Sequence, residues 1–241
     1  MKIFFPVLFL TVLLAGCKSQ SDIIDPTTSL TAPGTASDMD YDRLIAEYTE
    51  AINRNPNDAF AYASRGNAHA AKGDFDAAIA DYNQAIRLRP DDPVFHFNRG
   101  LLFDQRDDFS RAIADYTQAI SLNPDFAEAY TNRGAAHADM NNFDRAIEDH
   151  NQALRIRPNY PYALNNRGFA FRNKGDLDSA IADYNEAIRL NPNYAVAFLN
   201  RGVAYFFMDD FERAISDYET ALRLDPANEK AQHNLEMIRE L

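Results

Sequence analysis

The sequence predicts an all-α fold, a solenoid of stacked helical hairpins. Two observations carry this. Pro56, Pro90, Pro124, Pro158, Pro192 and Pro226 recur every 34 residues, and Gly66, Gly100, Gly134, Gly168 and Gly202 keep the same interval. Within each interval the apolar residues fall at helical spacing on two segments, as at Tyr62, Gly66 and His69 and then Phe75, Ala78, Ile79, Tyr82, Ala85 and Ile86. Each interval is therefore a pair of helices, and neighbouring pairs must stack to bury faces that one hairpin cannot cover. Composition agrees: hydrophobic residues make up 46% of the 241 and charged residues 25%, too apolar for a disordered chain. With 24 basic and 36 acidic side chains the formal charge is -12, which repels phosphate backbones and argues against nucleic acid as a partner. A single cysteine allows no internal disulfide, Cys-rich zinc site or CxxC redox pair.

Residues 1–16 read as a targeting segment. Lys2 supplies a short positive region, and Ile3 to Gly16 is an apolar stretch shorter than the roughly 20 residues needed to span a bilayer. Its end, Leu14-Ala15-Gly16-Cys17, resembles the lipobox of bacterial lipoproteins. That resemblance implies a signal peptide cut before Cys17, fatty acylation of Cys17 (palmitate-type chains), and attachment to a membrane through several acyl chains, where one alone is marginal. Lys18, rather than Asp, follows the cysteine; by the sorting pattern of enterobacteria-like lipoproteins this implies the outer membrane, facing the periplasm. Residues 17–40 are rich in Ser, Thr, Asp and Pro without helical periodicity and read as a lipidated cysteine followed by a flexible tether.

Residues 41–58 match only the second helix of a hairpin, so the array opens with a half repeat. Five full units follow at 59–92, 93–126, 127–160, 161–194 and 195–228. In each, a glycine inside the first helix, which costs about 1 kcal/mol relative to alanine, implies close helix–helix approach. Ala78, Ala112, Ala146, Ala180 and Ala214 provide the facing small surface. Between the helices, Gly73, Asp107, Asn141, Gly175 and Asp209 are the residue types best able to take a left-handed conformation. Asp74, Asp108, Asn142, Asp176 and Asp210 are then placed to cap the second helix. Residues 229–241 form a polar amphipathic segment with Ala231, Leu235 and Ile238 on one side, expected as a capping helix.

The recurring Gly66, His69, Ala78, Tyr82, Ala85 and Pro90, with their counterparts in later copies, resemble the tetratricopeptide repeat, and the resemblance covers residues 41–241 nearly continuously. It implies a right-handed superhelical solenoid whose concave groove takes a protein or peptide partner. Asn98, Asn132, Asn166 and Asn200, with Ser64 in the first unit, fall at the groove-facing position. A similar asparagine ladder holds the backbone of an extended peptide in the repeats of O-linked N-acetylglucosamine transferase, and an amide offers a peptide unit both donor and acceptor. These four asparagines are the candidate peptide-binding residues. The carboxylate clamp of chaperone-adaptor repeats is not matched, because its basic positions carry Ala63, Glu128 and Asn132.

Two further features compete for a role. Arg65, Arg99, Arg133, Arg167 and Arg201 could form an anion-binding stripe, but Asp81, Asp115, Asp149, Asp183 and Asp217 recur with them, so internal pairs are expected. Phe206 and Phe207 exceed the aromatic core set and, with Phe169, form a candidate apolar docking patch. No catalytic, cofactor or metal motif is present, and the histidines fall mostly at aromatic core positions, so no enzyme activity and no cofactor are expected. A set built from Glu128, His137 and Asp139 would be the first to test for chemistry assembled across repeats. The resulting expectation is a lipid-anchored adaptor or scaffold at the bacterial cell envelope, with an assembly factor for a secretin or pilus, or a non-catalytic subunit of a periplasmic enzyme complex, as the alternative.

Overall fold

The prolines and the turn residues decide where each helix stops. The computed structural model describes residues 40–240, so the signal segment, Cys17 and the tether lie outside the described residues. Among the described residues there are twelve helices and no strands. They are α1 (Tyr41–Arg54), α2 (Ala59–Ala71), α3 (Phe75–Leu88), α4 (Pro93–Gln105), α5 (Phe109–Leu122), α6 (Ala127–Asp139), α7 (Phe143–Ile156), α8 (Pro161–Asn173), α9 (Leu177–Leu190), α10 (Ala195–Phe207), α11 (Phe211–Leu224) and α12 (Glu229–Arg239). Every second helix of a hairpin ends at a residue before proline, and that residue is extended: Asn55, Arg89, Asn123, Arg157, Asn191 and Asp225 all lie at φ between -129° and -138°. The proline ring excludes the helical conformation from its predecessor. Every first helix ends on a left-handed residue, with φ of 81° at Gly73, 57° at Asp107, 60° at Asn141, 85° at Gly175 and 58° at Asp209. The next amide then bonds back into the helix, as Asp74 N does to the His69 carbonyl at 2.9 Å.

Asp74, Asp108, Asp176 and Asp210 cap the second helices through their carboxylates. Asn142 departs from expectation: it stands at the cap of α7 but makes no side-chain bond there.

The chain divides into two units, one ending at Pro158 and the other running from Asn159. In the first, α2, α3 and α4 share a core of Ala63, Ala78, Tyr82, Phe95 and Leu102, and α4, α5 and α6 share one of Phe97, Phe103, Ala112, Tyr116, Phe126 and Ala129. In the second, α12 closes the last hairpin: Ala231, Leu235 and Ile238 pack with Leu199, Val203, Tyr205 and Tyr218. The glycines of the first helices are required by contact. A Cβ at Gly202 would sit 2.7 Å from the Tyr218 ring and one at Gly100 would sit 2.8 Å from Tyr116, closer than atoms tolerate.

Candidate functional site

Each first helix is tied to its surroundings by a guanidinium. Arg99 donates through Nε to Asp115 at 2.8 Å and through a terminal nitrogen at 2.7 Å, a bidentate fork. Arg65–Asp81, Arg133–Asp149, Arg167–Asp183 and Arg201–Asp217 repeat it. The remaining nitrogen reaches the preceding second helix, to Thr49 from Arg65, Asn83 from Arg99, Thr117 from Arg133 and Asn185 from Arg201. One side chain thus joins two hairpins, and these arginines form internal pairs. Burial pushes the Asp115 carboxyl up, but bonds from Arg99 and His96 outweigh it and hold it below the usual range. At Asp217 burial prevails over Arg201 and the carboxyl is raised; there Phe198 takes the repeat position of His96.

The candidate asparagines are placed unevenly. In the unit ending at Pro158, Asn98 is half-buried and its amide nitrogen donates to the Tyr82 hydroxyl at 3.0 Å, while that hydroxyl donates to Asn67. Asn132 is half-buried and donates to the Glu128 carbonyl of its own helix at 2.9 Å. In the other unit Asn166 is half-buried and accepts from Asn165 at 3.1 Å. Asn200 does not line an open face. It is 1% exposed, donates to Asn165 at 3.0 Å and accepts from Arg172 at 3.5 Å. The reason is its neighbour: Asn165 stands where other repeats carry Ala63, Phe97 and Thr131, and it closes an amide pair over the position.

The apolar candidates also separate. Phe169 is buried beneath the Arg172 guanidinium, 4.9 Å from the ring centre, and so adds nothing to a docking surface. Phe206 packs partly against the core that α12 closes. Phe207 is half exposed and stacks edgewise on Phe206 at 6.0 Å, and Phe211 meets Phe206 at 5.7 Å. Met208 and Phe211 are exposed beside them; sequence alone does not single them out, because each reads as an ordinary turn or helix-start residue.

Of the set proposed for chemistry, Glu128 is buried and paired with Arg157. His137 is buried, and burial pushes its imidazole below the ordinary value. Among the described residues no three His, Cys, Asp or Glu side chains could together hold a metal ion, and no helix is long and apolar enough to cross a membrane.

Sequence reasoning missed a different pair. Asp104, near the end of α4, is 3% exposed, and its Oδ1 has no hydrogen-bond partner. Burial pushes its carboxyl up to about 7, and the charges of Asp139 and Asp107 push in the same direction. The hydroxyl of Tyr116, a fully buried ring, is likewise unpartnered; burial first, and then Asp104 and Asp115, raise it well above the ordinary phenol. The signal was available as a break in the period, since Ala70 and Ala138 flank Asp104 at the same repeat position.

Profiles described as TPR repeat match residues 66–105, 105–141 and 170–209, and tetratricopeptide repeat profiles match 47–80, 127–160 and 195–228. No curated protein sequence matches the chain. Among solved structures, the chain is similar to YrrB, a TPR protein with an unusual peptide-binding site, at 22% identity over 80% of this chain and 98% of that one, with a TM-score of 0.62. It is similar to MamA at 25% identity over 67% and 94%, TM-score 0.61. It is also similar to TTC0263, a thermophilic TPR protein of Thermus thermophilus, at 18% identity over 76% and 100%, TM-score 0.63. The 34-residue hairpins, their interlocking arginines and these matches agree: the chain belongs to the tetratricopeptide repeat family.

Proposed function

We propose that this protein is a non-catalytic scaffold that binds extended segments of protein partners along the first helices of its repeats, and that acyl chains on Cys17 hold it at the bacterial cell envelope. The observation that carries the binding role is the division of labour among polar residues. The Arg–Asp forks hold the hairpins together on one set of positions. The half-buried amides of Asn98 and Asn132 stand on a different set, on the adjacent helices α4 and α6. A rigid array with amides at fixed spacing suits main-chain recognition, because the ordering cost is met before the partner arrives. YrrB, similar in fold, is described as having a peptide-binding site, which supports the same use here.

The envelope role rests on the resemblance of Leu14 to Cys17 to a lipobox, and the outer membrane on Lys18. The test of binding is affinity capture from envelope extracts with the full chain and with an Asn98→Ala/Asn132→Ala variant. Loss of a specific partner in the variant supports the reading, and an unchanged set of captured proteins refutes it. Incorporation of a fatty-acid probe that disappears in Cys17→Ser supports the anchor, and an unlabelled native chain refutes it.

A further inference from the structure

We propose that Asp104 receives a cationic side chain, lysine or arginine, from an extended peptide lying along α4 and α6. This deepens the peptide-binding reading and rests on it. Repeat proteins provide their own comparison, since each position is sampled several times. At the position of Asp104 the flanking repeats carry Ala70 and Ala138. The chain accommodates other buried carboxylates by giving each a guanidinium: Arg65 for Asp81, Arg99 for Asp115, Arg133 for Asp149, and Arg157 for Glu128. Asp104 receives none, and its Oδ1 is sealed without a donor. A buried carboxyl left so destabilises the fold that carries it, whereas alanine would cost nothing there.

The surroundings state what is missing. The charges that act on Asp104 from the neighbouring elements are those of Asp139 on α6 and Asp107 in the turn, both acidic. The Tyr116 hydroxyl of α5, close enough to feel the charge of Asp104, is a second unpartnered polar group. In the first repeat the equivalent hydroxyl, on Tyr82, is held by Asn67 and Asn98. In this one Leu101 replaces the first amide, and Asn132 turns to its own helix. The surroundings of Asp104 therefore combine acidic charge with a hydroxyl oxygen able to accept, the complement of an ammonium or guanidinium group. An anion would be repelled, and the side chains needed to hold a metal ion are not assembled among the described residues. Asn98 and Asp104 lie on the same helix, six residues and about 9 Å apart along its axis, a distance that one extended peptide running along α4 can span.

The test uses the full chain in mild detergent and labelled, end-blocked peptides of Ala, Ser and Thr that differ only at the central residue: Arg, Lys, norleucine or Glu. The expected result is that the Arg and Lys peptides bind about tenfold tighter than the norleucine peptide, with the Glu peptide weakest. In Asp104→Asn the advantage falls to about twofold or less. Asp104→Ala, which installs the residue of the flanking repeats and so keeps the fold, behaves in the same way. Equal binding of the Lys and norleucine peptides, or an advantage that survives both substitutions, overturns the assignment of Asp104 while leaving the peptide-binding role intact. Failure of every peptide to bind overturns both.

Discussion

Asp104 and Arg172 occupy the same repeat position two periods apart, one in each unit, and both are buried. Arg172 lies over the ring of Phe169 and donates to Asn200, which is paired in turn with Asn165. Asp104 has a sealed oxygen and a neighbouring tyrosine hydroxyl, neither with a partner. The lesson is that a periodic fold fixes the place of a side chain but not its satisfaction. The unit that begins at Asn159 has closed this repeat position on its own amides, and the unit that ends at Pro158 has left one carboxyl waiting. This is why the binding role is assigned to the second of these.

The contrast predicts opposite signs for the removal of charge. The largest effect is expected for Arg201→Leu, which strands the buried Asp217; chemical denaturation should show a loss of about 3–5 kcal/mol. Asp104→Asn should do the reverse, with a gain of about 1–3 kcal/mol at pH 8. The sign follows from the raised carboxyl. The folded chain holds this proton up to about pH 7 and the unfolded chain only to about 3.8, so stability from Asp104 is lost as pH rises through that window and regained as pH falls. The gain in Asp104→Asn should accordingly shrink on acidification. Asn165→Leu comes next: it leaves the buried Asn200 amide without its acceptor and should cost about 1–2 kcal/mol, with no change at Asp104.

His137 supplies a slope of the other sign in the same unit. Its imidazole is depressed by burial, so its contribution is complete above about pH 6.5 and is lost as the solution is acidified through that value. His137→Phe, which copies Phe103 and Phe171 at this position, should abolish that acid-side loss in a pH series of melting temperatures. The smallest change is expected for Asp107→Gly. Its left-handed φ of 57° is reached by glycine without steric cost, and a gain of about 0.5–1 kcal/mol should appear.

The fold was legible because its causes are local and repeated. Proline excludes helix from the residue before it, and the left-handed turn residues are of the few types that tolerate that conformation, so the period of each marks a helix end. The Arg–Asp forks were legible for the same reason, two complementary charges recurring together. The candidate site was less so. Asn98, Asn132, Asn166 and Asn200 are equivalent in sequence, yet Asn200 is sealed because Asn165, specific to one repeat, stands beside it. Aromatic content groups Phe169 with Phe206 and Phe207, but a guanidinium covers it. Periodicity reports which face a residue takes and says nothing of the odd neighbour that closes that face. Asp104 is such an odd residue, and reading deviations from the period, not the period, would have found it.

The distinction between the two units depends on whether that carboxyl is without a donor in the free protein. Carbon NMR of aspartate-labelled protein, with Asp104→Asn to assign the resonance, reads its titration directly. A midpoint near 7 is predicted for the full chain alone. A midpoint in the ordinary carboxylate range, about 4, would mean that the chain or its water already satisfies Asp104, and that distinction would fall.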